Sequence, residues 1–342
     1  MANISVTDAA FTGFRVIRRN PGLLIAWALF HLITMAAFAW LMFAKFGDLF
    51  AHMQAVSQTG GTLTPAQASE LLRPILPLYA ILLPFGLIVG SIMVTAANRS
   101  VLRPRESALG YLRLGMDEIR QLILVIAFFL LALIFEVALG AVAVGVMAGA
   151  KALLSKAPSV PHYIPVVLGV AVFLIVLITV EVRLSLASAQ TFATRKINLF
   201  GSWRLTAGHF WPMLATYILM VILLIVVGII VSILVAALAM LAGGIFSVAA
   251  LQAGVMHGGM MQGGMAHGGT MTSPAVRTLA QMHTLNWKAI AAVLTPYLVV
   301  QLIGNAVLNA LVLAVALTPA AAIYRALTAD TAARVATPLN MG

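Results

Sequence analysis

The segment with the most unusual side chains lies between residues 255 and 271 and reads VMHGGMMQGGMAHGGTM. Thioether sulfur and imidazole nitrogen suit Cu(I), and the glycines between them let the backbone bring several ligands around one ion. The segment is therefore a candidate Cu(I) site, and we expect the chain to require no cofactor. A low-complexity loop whose methionines cover apolar surface is the alternative. The candidate ligands are Met256, His257, Met260, Met261, Met265, His267 and Met271.

A second candidate is Glu136, the only acid near the middle of an apolar run. An ionisable side chain inside a membrane is costly, so it is expected to have a partner or a function. The predicted partners are Gln301, Asn305 and Asn309, which recur every four residues on one helix face. Two roles are open. Glu136 would bind a proton or cation on a transport path, or it would hydrogen-bond the amides as a neutral carboxyl and join two spans.

Basic segments precede three of the apolar runs, at residues 8–20, 105–120 and 198–210. In the first two, apolar residues recur at helical spacing with arginines on other faces, which is typical of amphipathic helices at a membrane interface. A charged turn beside the membrane is the alternative. The arginines expected among lipid headgroups are Arg15, Arg18, Arg19, Arg113 and Arg204.

Composition determines the class of protein that these residues belong to. Of 342 residues, 62% are hydrophobic and 8% are charged, whereas a soluble domain has about 45–50% and about 25%. In lipid the backbone must satisfy its own hydrogen bonds, and the long continuous apolar runs favour helices over barrel strands. The chain has no cysteine, which excludes disulfides and thiolate metal sites.

Six apolar runs are long enough to cross a bilayer as helices. They lie at about residues 22–44, 75–97, 121–149, 163–186, 211–242 and 289–317. The predicted fold is therefore an all-α polytopic transmembrane bundle, a single integral membrane domain over residues 1–342 with a Gly/Met/His-rich outer loop at 243–286.

The basic residues predict the orientation, because the cytoplasmic side of a membrane protein carries more of them. With the first residues inside, fourteen of the twenty Lys and Arg residues fall on the cytoplasmic side. We therefore expect a multi-pass protein of the bacterial inner membrane with both termini in the cytoplasm. The six residues on the other side are Lys45, Arg73, Lys151, Lys156, Arg277 and Lys288.

The segments before the odd-numbered spans also indicate an internal repeat. Each has a glycine, an aromatic residue and an arginine ahead of an apolar run, starting at Gly13, Gly110 and Gly201. The repeat predicts three two-span hairpins, each preceded by an amphipathic interfacial helix, with units that begin near residues 8, 105 and 198.

Two short segments resemble a known family. The sequence SWRLTAGHFW at 202–211 resembles a phrase in bacterial six-span proteins, the YciC-like proteins and the membrane domain of glycerophosphoryl diester phosphodiesterases. TPAAAIYR at 318–325 is similar to the close of their last span. The resemblance implies a six-span membrane fold. It does not imply phosphodiesterase activity, because that hydrolase is a separate soluble barrel whose length and carboxylates this chain lacks.

No hydrolase elbow, phosphate loop, dinucleotide fingerprint or zinc helix occurs in the sequence. The net charge of +11 sits at the ends of apolar runs, which argues for anionic lipids and against nucleic acid as the partner. The leading hypothesis is a non-enzymatic membrane protein in lipid-linked organisation or envelope homeostasis; the sequence leaves a protein partner open. A transporter with a polar pathway near Glu136 and Asn305, and a copper-binding protein using 255–271, are the alternatives.

Overall fold

The computed structural model describes residues 5–57, 65–154, 163–252 and 287–336. Within these ranges all regular elements are helices, which confirms the all-α prediction. Residues 243–252 of the predicted outer loop continue a long helix. The rest of that loop, including the candidate copper ligands at 255–271, lies outside the described residues.

Six described helices are long and apolar enough to cross a membrane, as the sequence predicted. Their continuous apolar character follows from the lack of water in a bilayer, which leaves no face that needs polar residues. Five extend past the predicted runs, and the fourth ends two residues earlier than predicted. They are α3 (Gly22–Ser57), α4 (Pro65–Leu102), α5 (Met116–Leu154), α6 (Tyr163–Leu184), α9 (Phe210–Gln252) and α10 (Trp287–Ala336).

Four short helices lie between or before the long ones: α1 (Val6–Ala10), α2 (Thr12–Arg19), α7 (Ala187–Thr194) and α8 (Gly201–Leu205). The Ser5 side chain caps α1 by accepting a hydrogen bond from the Asp8 backbone N–H at 3.3 Å. α2 has a buried face of Thr12, Gly13 and Val16 and ends in two exposed arginines. The first basic segment therefore forms two short helices that meet at Phe11.

The second basic segment does not form the predicted helix. Residues 108–111 make a tight 3-10 turn in which Leu109, Gly110 and Tyr111 all have positive φ, and α5 begins only at Met116. The turn packs closely on α3: a Cβ on Gly110 would lie 2.7 Å from Ala26 Cβ, and Trp27 Nε1 donates to Gly110 O at 2.7 Å. This long-range packing overrides the helical spacing of the apolar residues.

The third basic segment, 198–210, contains only the short helix α8 before α9 begins at Phe210. The three segments that suggested a repeat thus have three different structures: a pair of short helices, a left-handed turn and a single short helix. The shared glycine and arginine therefore do not determine the local structure of these segments.

The chain divides into two compact units. Unit 1 comprises Met1–Leu224 and Ala310–Gly342, and unit 2 comprises Ile225–Asn309. The core of unit 1 lies where the short helices meet the ends of the long ones, around Trp27, Met93, Leu186 and Ile323. In unit 2, Gly304 packs against the Val235 side chain.

Candidate functional site

A buried ion pair lies where α4 ends and α5 begins in unit 1. Arg99 Nη2 donates to Glu118 Oε1 at 2.7 Å, and the two side chains are 3% and 7% exposed. Arg99 Nη1 also donates to Tyr111 O at 2.6 Å, which ties the left-handed turn to the pair. A charge removed from solvent needs a partner of this kind, because an unpaired one would cost several kcal/mol.

Further ion pairs surround Arg99. Asp117 accepts from Arg103 at 3.0 Å and from Arg120 at 2.8 Å. Glu106 lies 3.6 Å from Arg99 and 3.5 Å from Arg113. The Arg103 guanidinium also stacks on the Phe192 ring of α7, 4.4 Å from its centroid. We call these residues the arginine network: Arg99, Arg103, Arg113, Arg120, Glu106, Asp117 and Glu118.

A neutral chain of hydrogen bonds continues the arginine network on its buried side. Asn98 Nδ2 donates to Ser188 Oγ at 2.8 Å, and Ser188 Oγ donates to Gln121 Oε1 at 3.0 Å. Gln121 Nε2 in turn donates to Ser188 O at 2.8 Å. These hydrogen bonds join α4, α5 and α7, so the three polar side chains hold these helices together.

Three other arginines line a small crevice between α2, the end of α4 and the part of α10 around Arg325. Its volume is about 70 Å³, and its lining includes no acid. Arg325 Nη1 donates to Val101 O at 3.1 Å, which places its guanidinium beside α4. Arg15 pairs with Asp8 at 3.0 Å, but both side chains are exposed, at 47% and 70%. The lining of this arginine crevice is Thr12, Arg15, Val16, Arg19, Ser100, Val101, Pro104 and Arg325.

A larger cavity of about 590 Å³ lies between α5, α6 and the 200–203 segment. Its walls are mostly aliphatic and aromatic, and its acids are Glu136 of α5 and Glu181 of α6. Among the described residues, neither acid has a hydrogen-bond or ion-pair partner. The lining of this acidic cavity is Phe128, Leu131, Ala132, Phe135, Glu136, Phe173, Leu177, Val180, Glu181, Leu184, Ser185, Phe200 and Trp203.

The predicted partners of Glu136 lie in a different unit. Gln301, Asn305 and Asn309 all belong to unit 2, whereas Glu136 belongs to unit 1. Within the amide ladder, Asn309 Nδ2 donates to the Asn305 backbone carbonyl at 2.9 Å. The pairing of Glu136 with this ladder stays a prediction.

The predicted headgroup arginines have different environments. All five are exposed, and two of them, Arg15 and Arg19, also line the arginine crevice. Arg113 is 61% exposed but has Glu106 as a partner, which the sequence prediction did not anticipate. The arginine network was missed because each of its arginines was counted only as a charge at a span end. The polar run Asn98-Arg99-Ser100 inside a helical segment was the signal that marked it.

Within the described part of the chain, no cluster of three or more His, Asp or Glu side chains could hold a metal ion. Comparison of the chain with protein-family models, with curated proteins and with solved structures finds no match.

Proposed function

We propose that this chain is a non-enzymatic membrane protein of the bacterial inner membrane that binds anionic phospholipid and serves lipid-linked organisation of the envelope. The observation that supports this most is the arginine crevice, which is lined by three arginines and by no carboxylate, while Asp8, the partner of Arg15, lies outside the lining. A guanidinium presents several N–H donors in a planar fork that matches the oxygens of a phosphate.

The position of the crevice suits a headgroup better than a soluble anion. It lies at the end of α4 and in the last part of α10, and the neighbouring α2 ends in the exposed Arg18 and Arg19. With both termini inside, these ends face the cytoplasmic leaflet, whose anionic lipids attract basic side chains. Six apolar helices supply the membrane anchorage that such binding requires.

The test compares two triple variants with the same change in net charge. The first variant removes the three positive charges of the crevice and is Arg15→Gln/Arg19→Gln/Arg325→Gln. The control removes three exposed arginines outside the crevice and is Arg18→Gln/Arg105→Gln/Arg204→Gln. Both variants should lose the general attraction of about 1 kcal/mol per arginine. The crevice variant should lose more phosphatidylglycerol binding than the control, because hydrogen bonds to a charged phosphate contribute about 1.5–3 kcal/mol each. Native mass spectrometry of the full chain, titrated with phosphatidylglycerol, phosphatidylcholine or inorganic phosphate, measures this.

Equal losses in both variants would mean that the attraction is a general effect of charge and that the crevice is no site. Tighter binding of inorganic phosphate than of phosphatidylglycerol would assign the crevice to a soluble anion and overturn the lipid proposal.

A transporter is the second candidate, favoured by the position of Glu136 in a cavity beside two membrane helices. A transport role predicts that Glu136→Gln abolishes flux in proteoliposomes and leaves thermal stability unchanged. Loss of stability together with flux would argue instead for a structural role of Glu136.

A further inference from the structure

We propose that the acidic cavity binds a lipophilic organic cation, an ammonium or phosphonium group carried on an apolar body. This inference does not depend on the arginine crevice, which lies on other helices. It rests on three properties of the cavity: its size, its apolar walls and its unbalanced negative charge.

The size and the walls suit a small amphiphilic molecule. A volume of about 590 Å³ lies within the range of about 300–1,000 Å³ that is usual for small-molecule sites. The walls contain aromatic rings from Phe128, Phe135 and Phe173 beside aliphatic side chains. Trp203, from the segment 200–203, adds another aromatic side chain. Aromatic faces attract quaternary and other soft cations as well as apolar groups.

The acidic side chains of the cavity favour a positively charged ligand. Glu136 and Glu181 line the cavity and no basic side chain does. Arg183, two residues after Glu181, does not neutralise it, because its guanidinium lies over the rings of Trp203 and Phe210, at 5.7 and 5.9 Å from their centroids. A carboxylate on a membrane helix is costly when unpaired, so a ligand that supplies positive charge there is stabilised.

The two acids lie at different depths. Glu181 is three residues from the end of α6, whereas Glu136 is twenty residues from the start of α5, about 30 Å along the helix. A small inorganic cation could pair with one carboxylate, but it would make no favourable contact with the apolar walls between them. A cation with a hydrocarbon or aryl body covers that space and brings its charge to a carboxylate.

The experiment uses two probes of matched shape and opposite charge, tetraphenylphosphonium and tetraphenylborate. Their binding to the full chain in a neutral maltoside detergent is measured by equilibrium dialysis. We expect tetraphenylphosphonium to bind and tetraphenylborate not to bind. Glu136→Gln/Glu181→Gln should weaken phosphonium binding about tenfold or more, which is the effect of losing a charged contact. Asp8→Asn removes an exposed acid outside the cavity and should change nothing.

Equal binding of both probes would overturn the proposal, because the cavity would then recognise only apolar surface. It would equally be overturned by wild-type affinity in the double variant, or by the same loss in Asp8→Asn. Thermal unfolding of each variant is measured in parallel, and the conservative Gln side chains keep the shape of the cavity. Failure of this test leaves the phosphatidylglycerol titration of the arginine crevice unaffected.

Discussion

The carboxylates of the arginine network and those of the acidic cavity differ in whether they have a basic partner, although both groups belong to unit 1. In the network, Glu106, Asp117 and Glu118 each lie within 3.6 Å of an arginine nitrogen. In the cavity, Glu136 and Glu181 have no such partner among the described residues. Acids that are paired internally hold helices together, whereas acids left unpaired beside an apolar space are available to a ligand.

The largest effect is expected from breaking the buried pair. Arg99→Met leaves the Glu118 carboxylate buried beside no cation, and the free energy of unfolding should fall by about 3–5 kcal/mol. Denaturant titration of the purified protein in detergent measures the loss. The double variant Arg99→Met/Glu118→Leu removes both charges and should regain most of it, because apolar side chains of similar size replace the pair. A loss below about 1 kcal/mol in the single variant would contradict a structural role.

A much smaller effect is expected at the exposed edge of the same network. Arg113 pairs with Glu106 at 3.5 Å, but the two side chains are 61% and 37% exposed. Exposed pairs contribute about 0–1 kcal/mol, so Arg113→Gln should lower the free energy of unfolding by no more than that. The same denaturant titration compares this loss with that of Arg99→Met. Similar losses in the two variants would show that burial does not determine how much an ion pair stabilises the protein.

The smallest effect on stability is expected in the acidic cavity. Glu136 has no partner to lose among the described residues, so Glu136→Leu should leave the midpoint of thermal unfolding unchanged or raise it, since an unpaired carboxylate is removed. The paired role predicted from the sequence gives the opposite sign: Leu would destabilise the protein and Gln would restore it. Thermal melts of the two variants beside wild type decide between these roles.

The parts of the fold that could be predicted from sequence are those determined locally. A run of about twenty apolar residues forms a helix in lipid whatever its neighbours are, and all six predicted runs coincide with apolar helices. That residues 12–19 form a helix was also predictable, but the face it buries was not: Thr12, Gly13 and Val16 are buried, whereas Phe14 and Ile17 are half-buried.

The parts that could not be predicted depend on residues far apart in the chain. The turn at Gly110 exists because Trp27 and Ala26 of α3 pack against it, and no pattern within 105–120 encodes that contact. Likewise, an arginine count cannot distinguish Arg99, which is buried on Glu118, from Arg105, which is exposed. Glu136 and Glu181 line the same cavity only because α5 and α6 pack side by side, and the sequence does not show that packing.

The close contact of Gly13 with α10 bears on the order in which the protein is assembled during synthesis. A Cβ on Gly13 would lie 2.5 Å from Ala314 O and 2.6 Å from Val315 Cα, so the backbones of α2 and α10 touch. The two segments are roughly 300 residues apart, and such contacts form late. The ribosome makes α2 long before α10, so α2 has no α10 to pack against until the last long helix has been made. The docking of α2 then marks completion of unit 1, and a chain that stops before residue 310 would leave this helix open to proteolysis.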